Sequence, residues 1–242
     1  MAQNIYDNPE FFAGYAQLPR SQHGLDGAPE WAALRSLLPP LEGLDVVDLG
    51  CGYGWFSRYA AEQGARTVSG LDVSQKMLDH ARANTDAAQV SYFHADLDQL
   101  ELPTAAFDLA YSSLTLHYLA DLSHFMRNVH DALRPGGSLV FSIEHPIYMA
   151  SLKPGWVVDG DGRRCWPVDH YQDEGERRTD WLAKGVLKDH RTLGSILNAV
   201  IGAGLTLRHV EDWGPSAGQV QANPALAEER ERPMLLLVAA QR

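Results

Sequence analysis

The sequence predicts an α/β fold built on a mainly parallel sheet, and three observations carry that prediction. Between residues 44 and 144, short apolar runs alternate with helix-like stretches, a pattern typical of parallel strands joined by right-handed crossovers. A glycine-rich turn joins the first apolar run to the helix-like stretch after it. Near the end, MLLLVAA is a continuous apolar run, which predicts a strand covered on both faces.

The elements follow in order. The first strands are expected at 44–49, 66–71, 90–94, 107–112 and 137–144. Helices are expected at 55–63, 74–84 and 122–133, and Ser74 suits the N-cap of the second. The Pro135-Gly136-Gly137 stretch breaks the third helix and turns the chain into the next strand. A helix at 192–203 and strands at 205–213 and 233–240 complete the pattern.

The chain reads as a single domain over residues 1–242 with two additions to the alternating pattern. Two short helices at 9–18 and 28–38 predict an N-terminal helical cap over residues 1–40. Residues 146–190 are rich in charge, Gly, Pro and Trp without a sustained period. A long irregular stretch after the fifth strand predicts a lid-like insertion that shapes a binding site.

Composition narrows the function classes. The formal net charge of −11 disfavours a nucleic-acid backbone as the main ligand. The two cysteines cannot by themselves form a disulfide framework or a four-ligand zinc site. We therefore expect no metal and a reduced, cytoplasmic setting. No run of 18 apolar residues is present and the N-terminus lacks the pattern of a secretory signal, so we expect no membrane partner.

The most informative segment is VVDLGCGYGWF at residues 46–56. An apolar strand containing Asp48 is followed by Gly50, Gly52 and Gly54, and glycines let a backbone turn tightly and approach a ligand. The dinucleotide-binding fingerprint places its third glycine one residue later, where this chain has Trp55. A carboxylate before the first glycine also suits a cationic or hydroxyl-rich ligand better than a pyrophosphate.

Two later strand ends support a nucleoside site at the same edge of the sheet. Asp72 ends the second strand about twenty residues after the loop, where a carboxylate can accept hydrogen bonds from a ribose diol. Asp96 follows the third strand and is placed to accept from an adenine amino group, although a helix N-cap is an alternative role. Met77 is either an adenine contact or plain core.

Five motifs resemble those of the class I S-adenosylmethionine-dependent methyltransferases, in order and spacing, and look most like the small-molecule branch: VVDLGCGYG, GLDVS, HADL, FDLAYSSLTLHYL and LRPGGSLVFSIEHP. The specific resemblance covers residues 44–145, and element order extends it over 192–242. It implies a Rossmann-like three-layer sandwich with a seven-stranded, mostly parallel sheet whose last strand is antiparallel. It also implies S-adenosylmethionine as the cofactor and S-adenosylhomocysteine as the product.

The resemblance implies roles for particular residues. The glycines approach the methionine part of the cofactor, and Asp48 supports the loop or binds the cofactor's amino group. The N-terminal cap is expected to close over the cofactor through Tyr6, Tyr15 or Arg20. The expected cofactor-binding residues are Tyr15, Arg20, Asp48, Gly50, Cys51, Gly52, Gly54, Asp72, Val73, Met77, Asp96, Leu97, Ser112 and Ser113. For Cys51, a small buried side chain without reactivity is the simpler interpretation.

The acceptor side is less determined, because methyl transfer needs alignment, exclusion of water and, for a protonated nucleophile, a base. His117 follows the fourth strand and is our candidate base, with packing as the alternative. His145 and His190 are also candidate catalytic residues because both are expected near the pocket. Glu144 is a further candidate if burial raises its pKa.

The predicted activity is methyl transfer to an O, N or carboxylate of a small organic acceptor. The segment YSSLTLHY lacks the Pro-Pro-aromatic and Pro-Cys signatures of DNA methyltransferases, so we expect no nucleic-acid partner. The alternatives are a protein side-chain methyltransferase, a non-catalytic S-adenosylmethionine-binding protein and an NAD-dependent oxidoreductase. The sequence leaves the oligomeric state open, and the insertion's Trp156, Trp166 and Trp181 either pack it onto the domain or line the acceptor pocket.

Overall fold

A computed structural model describes residues 3–242 of the chain. Its strands are β1 (Asp45–Leu49), β2 (Thr67–Asp72), β3 (Val90–His94), β4 (Phe107–Ser113), β5 (Leu133–Glu144), β6 (Val157–Val158), β7 (Arg164–Cys165), β8 (Gly175–Trp181), β9 (Ala183–His190), β10 (Thr206–Trp213) and β11 (Leu235–Gln241).

The helices lie between these strands, apart from three that precede β1. They are α1 (Pro9–Tyr15), α2 (Pro19–Gln22), α3 (Trp31–Ser36), α4 (Trp55–Glu62), α5 (Gln75–Ala83), α6 (Leu122–Ala132), α7 (Pro146–Met149), α8 (Leu193–Gly202) and α9 (Ala217–Ala222). Short 3₁₀ turns occur at Ile5–Asp7, Gly24–Gly27, Leu116–Tyr118 and Pro224–Arg230.

The central sheet has seven strands in the order β10-β11-β5-β4-β1-β2-β3. Strands β1 to β5 pair in parallel, and β11 runs antiparallel to both β5 and β10. The predicted seven-stranded sheet with an antiparallel last strand is therefore confirmed. Residues Leu235–Gln241 are almost entirely buried because β11 lies inside the sheet with neighbours on both sides.

Helices cover both faces of the sheet and give it three layers. Phe125 of α6 and Val200 of α8 pack on the face that carries Val47 of β1. Trp31 of α3 and Phe56 of α4 pack with alternate residues on the opposite face. The alternation follows from the period of two along a strand, which sends successive side chains to opposite faces.

The strand start that differs most from the sequence-based prediction is that of β5. Strand β5 begins at Leu133, four residues earlier than expected, and the Pro-Gly-Gly stretch lies within it rather than before it. The guanidinium of Arg134 forms ion pairs with Asp45 and Asp108 at 2.8 and 2.7 Å, which hold this segment beside β4. The register shift between Phe107 and Leu109 accommodates the extra residues.

The insertion after β5 is more regular than its sequence predicts. It contains two antiparallel hairpins, β6–β7 and β8–β9, in place of an irregular stretch. The β8–β9 hairpin packs on the N-terminal segment through Ile5, Phe11 and Val186. The two additions to the core pattern therefore meet in space.

The N-terminal helices are shorter than predicted. The expected helix at 9–18 ends at Tyr15, and α2 starts afresh at Pro19, whose ring cannot continue a helix. Within residues 3–242, no helix is long and apolar enough to cross a bilayer.

Candidate active site

The glycine loop between β1 and α4 adopts a backbone that only glycine accepts readily. Gly50, Gly52 and Gly54 have φ angles of +81°, +50° and +72°. A Cβ on Gly50 would lie 2.2 Å from Thr115 Oγ1, and one on Gly54 would lie 2.2 Å from the Tyr92 hydroxyl. A Cβ on Gly52 would instead meet only the Tyr15 hydroxyl, at an ordinary contact distance of 3.9 Å. Gly52 is therefore the glycine that lets a ligand approach the backbone.

Asp72 ends β2 and is bound to the glycine loop. Its Oδ2 accepts from the Gly52 N–H at 2.8 Å, and its Oδ1 accepts from the Ser74 N–H at 2.9 Å. Burial raises the pKa of this carboxyl, although the two backbone donors oppose the shift. Each oxygen keeps a lone pair, so the carboxylate can also accept from a diol at the cavity wall.

Asp96, just after β3, carries an acceptor atom without a partner. Its Oδ1 accepts from the Asp98 N–H at 3.1 Å, but no helix lies between β3 and β4, so the alternative role as a helix N-cap is wrong. Its Oδ2 is buried and has no hydrogen-bond partner within the described part of the chain. Leu97 and Met77 line the same cavity and are nearly fully buried. An orphan acceptor beside apolar side chains fits the amino edge and face of an adenine.

Asp48 lies beneath the glycine loop and is 2% exposed. Its Oδ2 accepts a hydrogen bond from the Ser57 hydroxyl at 2.6 Å. Burial raises the pKa of Asp48 to about 7; the Ser57 hydrogen bond opposes this rise, and the negative charge of Asp72 adds to it. A cation bound nearby would favour the ionised carboxylate and so relieve the cost of burying it.

One cavity of about 700 Å³ joins these groups, a size typical of small-molecule sites. Most of the sequence-predicted cofactor residues line it: Tyr15, Arg20, Asp48, Gly50, Cys51, Gly52, Asp72, Val73, Met77, Asp96, Leu97 and Ser113. Gly54 and Ser112 do not. Gly54 is the N-cap of α4, and Ser112 is fully buried with its hydroxyl donating to the Leu49 carbonyl at 2.7 Å. Their placement differs from the expectation and gives both a structural role.

Residues 3–7 form a clasp over the rim of the cavity. The Asn4 side-chain amide donates to the Val73 carbonyl at 3.1 Å. The Asp7 carboxylate accepts from the Ser74 hydroxyl at 2.6 Å, and the Asp7 carbonyl accepts from Lys76 Nζ at 2.8 Å. This clasp attaches the N-terminal segment to the loop that carries Asp72.

Arg20 enters the cavity from α2 and is held by a buried partner. One guanidinium nitrogen lies 3.0 and 3.3 Å from the two carboxylate oxygens of Glu30, which is 1% exposed. The remaining N–H groups of the planar fork stay available, since Arg carries five donors. Arg20 can therefore present fixed donors to an anionic group in the cavity.

The part of the cavity beyond the glycine loop has aromatic walls around a buried ion pair. The walls include Tyr6, Tyr118 and Trp181. Lys188 Nζ, on β9, lies 2.5 Å from Glu144 Oε1 at the end of β5, and the Lys188 side chain is 4% exposed. The insertion and the core sheet therefore contribute one charge each to this end of the cavity.

His117 lines the same region and is almost fully buried. Its Nδ1 accepts from the Glu144 N–H at 3.4 Å, and its Nε2 lies 3.9 Å from Glu144 Oε1. Burial lowers the pKa of His117 well below its usual range, and the charges of Lys188 and Arg191 lower it further. The ring is therefore neutral near pH 7, and the hydrogen bond to Nδ1 assigns the proton to Nε2. In this state His117 is a donor rather than a strong base.

The structure places His145 and His190 away from the cavity lining, in contrast to the expectation that they contact the acceptor. His145 caps α7, with Nδ1 accepting from the Ile147 N–H at 3.1 Å and Nε2 lying 2.8 Å from Asp212 Oδ1. His190 is fully buried, with Nε2 lying 2.9 Å from the Tyr171 carbonyl. Both rings hold chain segments together.

Sequence reasoning missed Lys188. The signal that could have found it is the alternation of buried residues along β9, where Val186, Lys188 and His190 share one face. Among the tryptophans of the insertion, Trp181 lines the cavity, whereas Trp156 and Trp166 are not among its lining residues. These two rings pack around the Arg232 guanidinium at 5.9 and 4.5 Å from the ring centroids. Both alternatives for the tryptophans therefore occur.

No group of three or more His, Cys, Asp or Glu side chains within residues 3–242 is arranged to hold a metal ion.

Comparisons with known proteins agree with this geometry. A family model described as a methyltransferase domain matches residues 47–141. The chain shares 58% sequence identity with an S-adenosylmethionine-dependent methyltransferase from Mesorhizobium loti, whose crystal structure superposes with a TM-score of 0.87. The match covers 90% of this chain and 100% of that one. The chain is 31% identical to an uncharacterised protein of Haemophilus influenzae over 99% of this chain and 97% of the relative.

A shorter similarity connects the chain to enzymes with a named acceptor. It is 38% identical over 120 residues to the malonyl-[acyl-carrier protein] O-methyltransferase of Serratia marcescens. That match covers 49% of this chain and 46% of the relative, so it spans about half of each protein.

Proposed function

Because this chain belongs to the S-adenosylmethionine-dependent methyltransferases, we propose that it transfers the methyl group to an oxygen or nitrogen of a small organic acceptor held in the aromatic part of its cavity. When bound, the cofactor supplies a methyl group on a sulfonium, which is already a good leaving group. The tasks left to the protein are to bind the two molecules, align them and exclude water.

The polar side chains at the cofactor end of the cavity match the polar groups of S-adenosylmethionine. We assign the ribose hydroxyls to Asp72 and the adenine amino group to the unpartnered Oδ2 of Asp96. Asp48 faces the positively charged methionine end, and Arg20 offers its free N–H groups to the methionine carboxylate. Gly52 lines the cavity without a side chain, and the Tyr15 hydroxyl would lie 3.9 Å from a Cβ there, so the cofactor can pass close to the backbone between them.

A small acceptor is favoured because two chain segments cover the pocket. Tyr6 in the N-terminal segment and Trp181 in the β8–β9 hairpin both line the cavity and come from segments that pack on each other. A protein side chain on a folded partner needs an open cleft, and such a partner would have to displace both segments. A free small molecule can enter when the N-terminal segment and the β8–β9 hairpin move slightly apart. A small molecule is therefore the favoured acceptor.

Malonyl-[acyl-carrier protein], the acceptor in the name of the Serratia marcescens relative, is not proposed as the acceptor of this chain. The similarity spans about half of those relatives, and the buried Glu144 at the acceptor end disfavours an anionic group there.

Two measurements test the proposal. Isothermal titration calorimetry with S-adenosylmethionine, S-adenosylhomocysteine and NAD should show binding of the first two only. S-adenosylhomocysteine release should then be followed with a panel of small hydroxyl and amino compounds and, separately, with a mixture of folded proteins. Release that depends on the proteins and not on the small compounds would contradict the small-acceptor assignment, and absence of binding to both adenosyl ligands would contradict the cofactor assignment.

A further inference from the structure

We propose that Glu144, balanced by Lys188, receives the hydrogen of the acceptor's nucleophilic group, so that the acceptor is a flat ring bearing a hydroxyl or amino group and not a carboxylate. This inference rests on the proposed methyl transfer and specifies the acceptor class for the same site.

The first argument is the hydrogen bonding of the Glu144 carboxylate. Its Oε1 accepts from Lys188 Nζ at 2.5 Å. Its Oε2 is buried and has no hydrogen-bond partner among residues 3–242. A buried carboxylate oxygen without a donor is costly, and Glu144 lies in the wall of the cavity. An acceptor with an O–H or N–H group provides the missing donor.

The second argument is the charge balance at this end of the cavity. Glu144 and Lys188 neutralise each other, and the buried ring of His117 is neutral. The cation of Arg191 also acts on His117, but Arg191 does not line the cavity, and the carboxylates of Asp189 and Glu174 act on it in turn. A carboxylate acceptor would bring a second negative charge next to Glu144 in a poorly solvated space. A neutral hydroxyl or amino group leaves the balance intact.

The third argument is the shape of the aromatic walls. The Tyr6 and Tyr118 rings meet edge to face, with centroids 5.9 Å apart, and their hydroxyls are 3.4 Å apart. Trp181 lines the same space, with Lys188 Nζ 5.0 Å from its ring centroid. Aromatic rings pack favourably against other flat rings, so these walls favour a planar acceptor.

The chemical step balances without a further reagent. The bond between the acceptor's oxygen or nitrogen and the methyl carbon forms while the sulfur–methyl bond breaks, and the electron pair of the broken bond stays on sulfur. The acceptor's proton passes to Glu144 and then to solvent after the product leaves. His117 is a positioning residue in this scheme, because its Nδ1 accepts the Glu144 N–H and its Nε2–H lies on the side of the carboxylate.

The test uses three probes that share one ring system: 2-naphthol, 2-naphthylamine and 2-naphthoate. Binding of each is measured by calorimetry on the full chain saturated with S-adenosylhomocysteine, and turnover is measured with S-adenosylmethionine. We expect the naphthol and the naphthylamine to bind at least tenfold more tightly than the naphthoate and to be methylated. Equal or preferred binding of the naphthoate, or no binding of the other two, overturns the proposal.

The variant Glu144→Gln separates this inference from the proposed function. It should keep S-adenosylhomocysteine affinity within twofold, lower naphthol affinity at least tenfold, and raise naphthoate affinity because Lys188 loses its partner. If the order of the three probe affinities is unchanged in this variant, the proposal is overturned. If the unmodified protein does not bind S-adenosylhomocysteine at all, the proposed function itself is overturned. The exposed Glu176, outside the cavity, supplies the matched control Glu176→Gln, which should behave as the unmodified protein.

The double variant Glu144→Gln/Lys188→Met removes both charges at once and so keeps the test decisive if the single variant does not fold. It should bind the three probes with similar affinity. A retained preference for the naphthol in this variant would show that the ion pair does not select the acceptor, and would refute the inference.

Discussion

Replacing Gly52 and Gly54 separately by alanine should separate ligand binding from folding. Both have positive φ angles, so each Ala costs about 1–2 kcal/mol of backbone strain. For Gly52→Ala the new methyl group meets only the Tyr15 hydroxyl, at a clash-free 3.9 Å, and we expect a melting temperature about 2–8 °C lower. For Gly54→Ala the Cβ would lie 2.2 Å from the Tyr92 hydroxyl, and overpacking of this kind adds about 1–3 kcal/mol.

The binding effects should run in the opposite order. The Gly52 methyl group would occupy space that the cofactor needs, so affinity for S-adenosylhomocysteine should fall at least tenfold, about 1.4 kcal/mol. The folded fraction of Gly54→Ala should bind within about threefold of the unmodified chain, about 0.6 kcal/mol, because Gly54 does not line the cavity. Calorimetry and thermal unfolding on the same samples decide this. Normal affinity in Gly52→Ala together with lost affinity in a stable Gly54→Ala would refute the reasoning.

Three further outcomes are expected. Asp96→Asn should weaken S-adenosylhomocysteine binding at least tenfold, about 1.4 kcal/mol, because an amide N–H donor can then face the adenine amino group in place of the unpartnered acceptor. The inosine analogue, which has a carbonyl at that edge, should recover affinity for this variant. Failure to recover affinity counts against the assignment. Asp48 has a pKa raised to about 7, so it is protonated below that pH and charged above it. The preference for the sulfonium cofactor over its neutral product should therefore grow from pH 6 to pH 8 in calorimetry, and a pH-independent preference would contradict this role. His117→Ala should lower turnover at least tenfold with cofactor affinity nearly unchanged, whereas an unaltered rate would remove it from the acceptor site.

The parallel core could be predicted from the sequence because its signals are local. Each strand from β1 to β4 starts within one residue of its predicted position, since short apolar runs between helical stretches have few other solutions. Asp72 could be placed at the cavity because the carboxyl ends of parallel strands share one edge of the sheet.

The acceptor end could not be predicted in the same way, because its groups come together only through tertiary packing. Lys188 and Glu144 are 44 positions apart and meet because the β8–β9 hairpin folds back on the sheet. His145 stands next to Glu144 in sequence, yet its ring binds Asp212 and caps a helix. His145 was expected at the pocket from its strand end alone, and neighbouring residues at a strand end point to opposite sides. His190 was expected there only because it precedes the helix after the insertion.

The clasp formed by residues 3–7 has a kinetic consequence. Asn4 and Asp7 bind Val73 and Ser74, which adjoin the carboxylate assigned to the ribose. We expect the nucleoside product to leave past this segment, so that opening of the Asn4, Asp7 and Lys76 contacts becomes a step separate from methyl transfer. The same segment touches the β8–β9 hairpin, so we expect movement of one to affect the other and acceptor entry to be coupled to product exit.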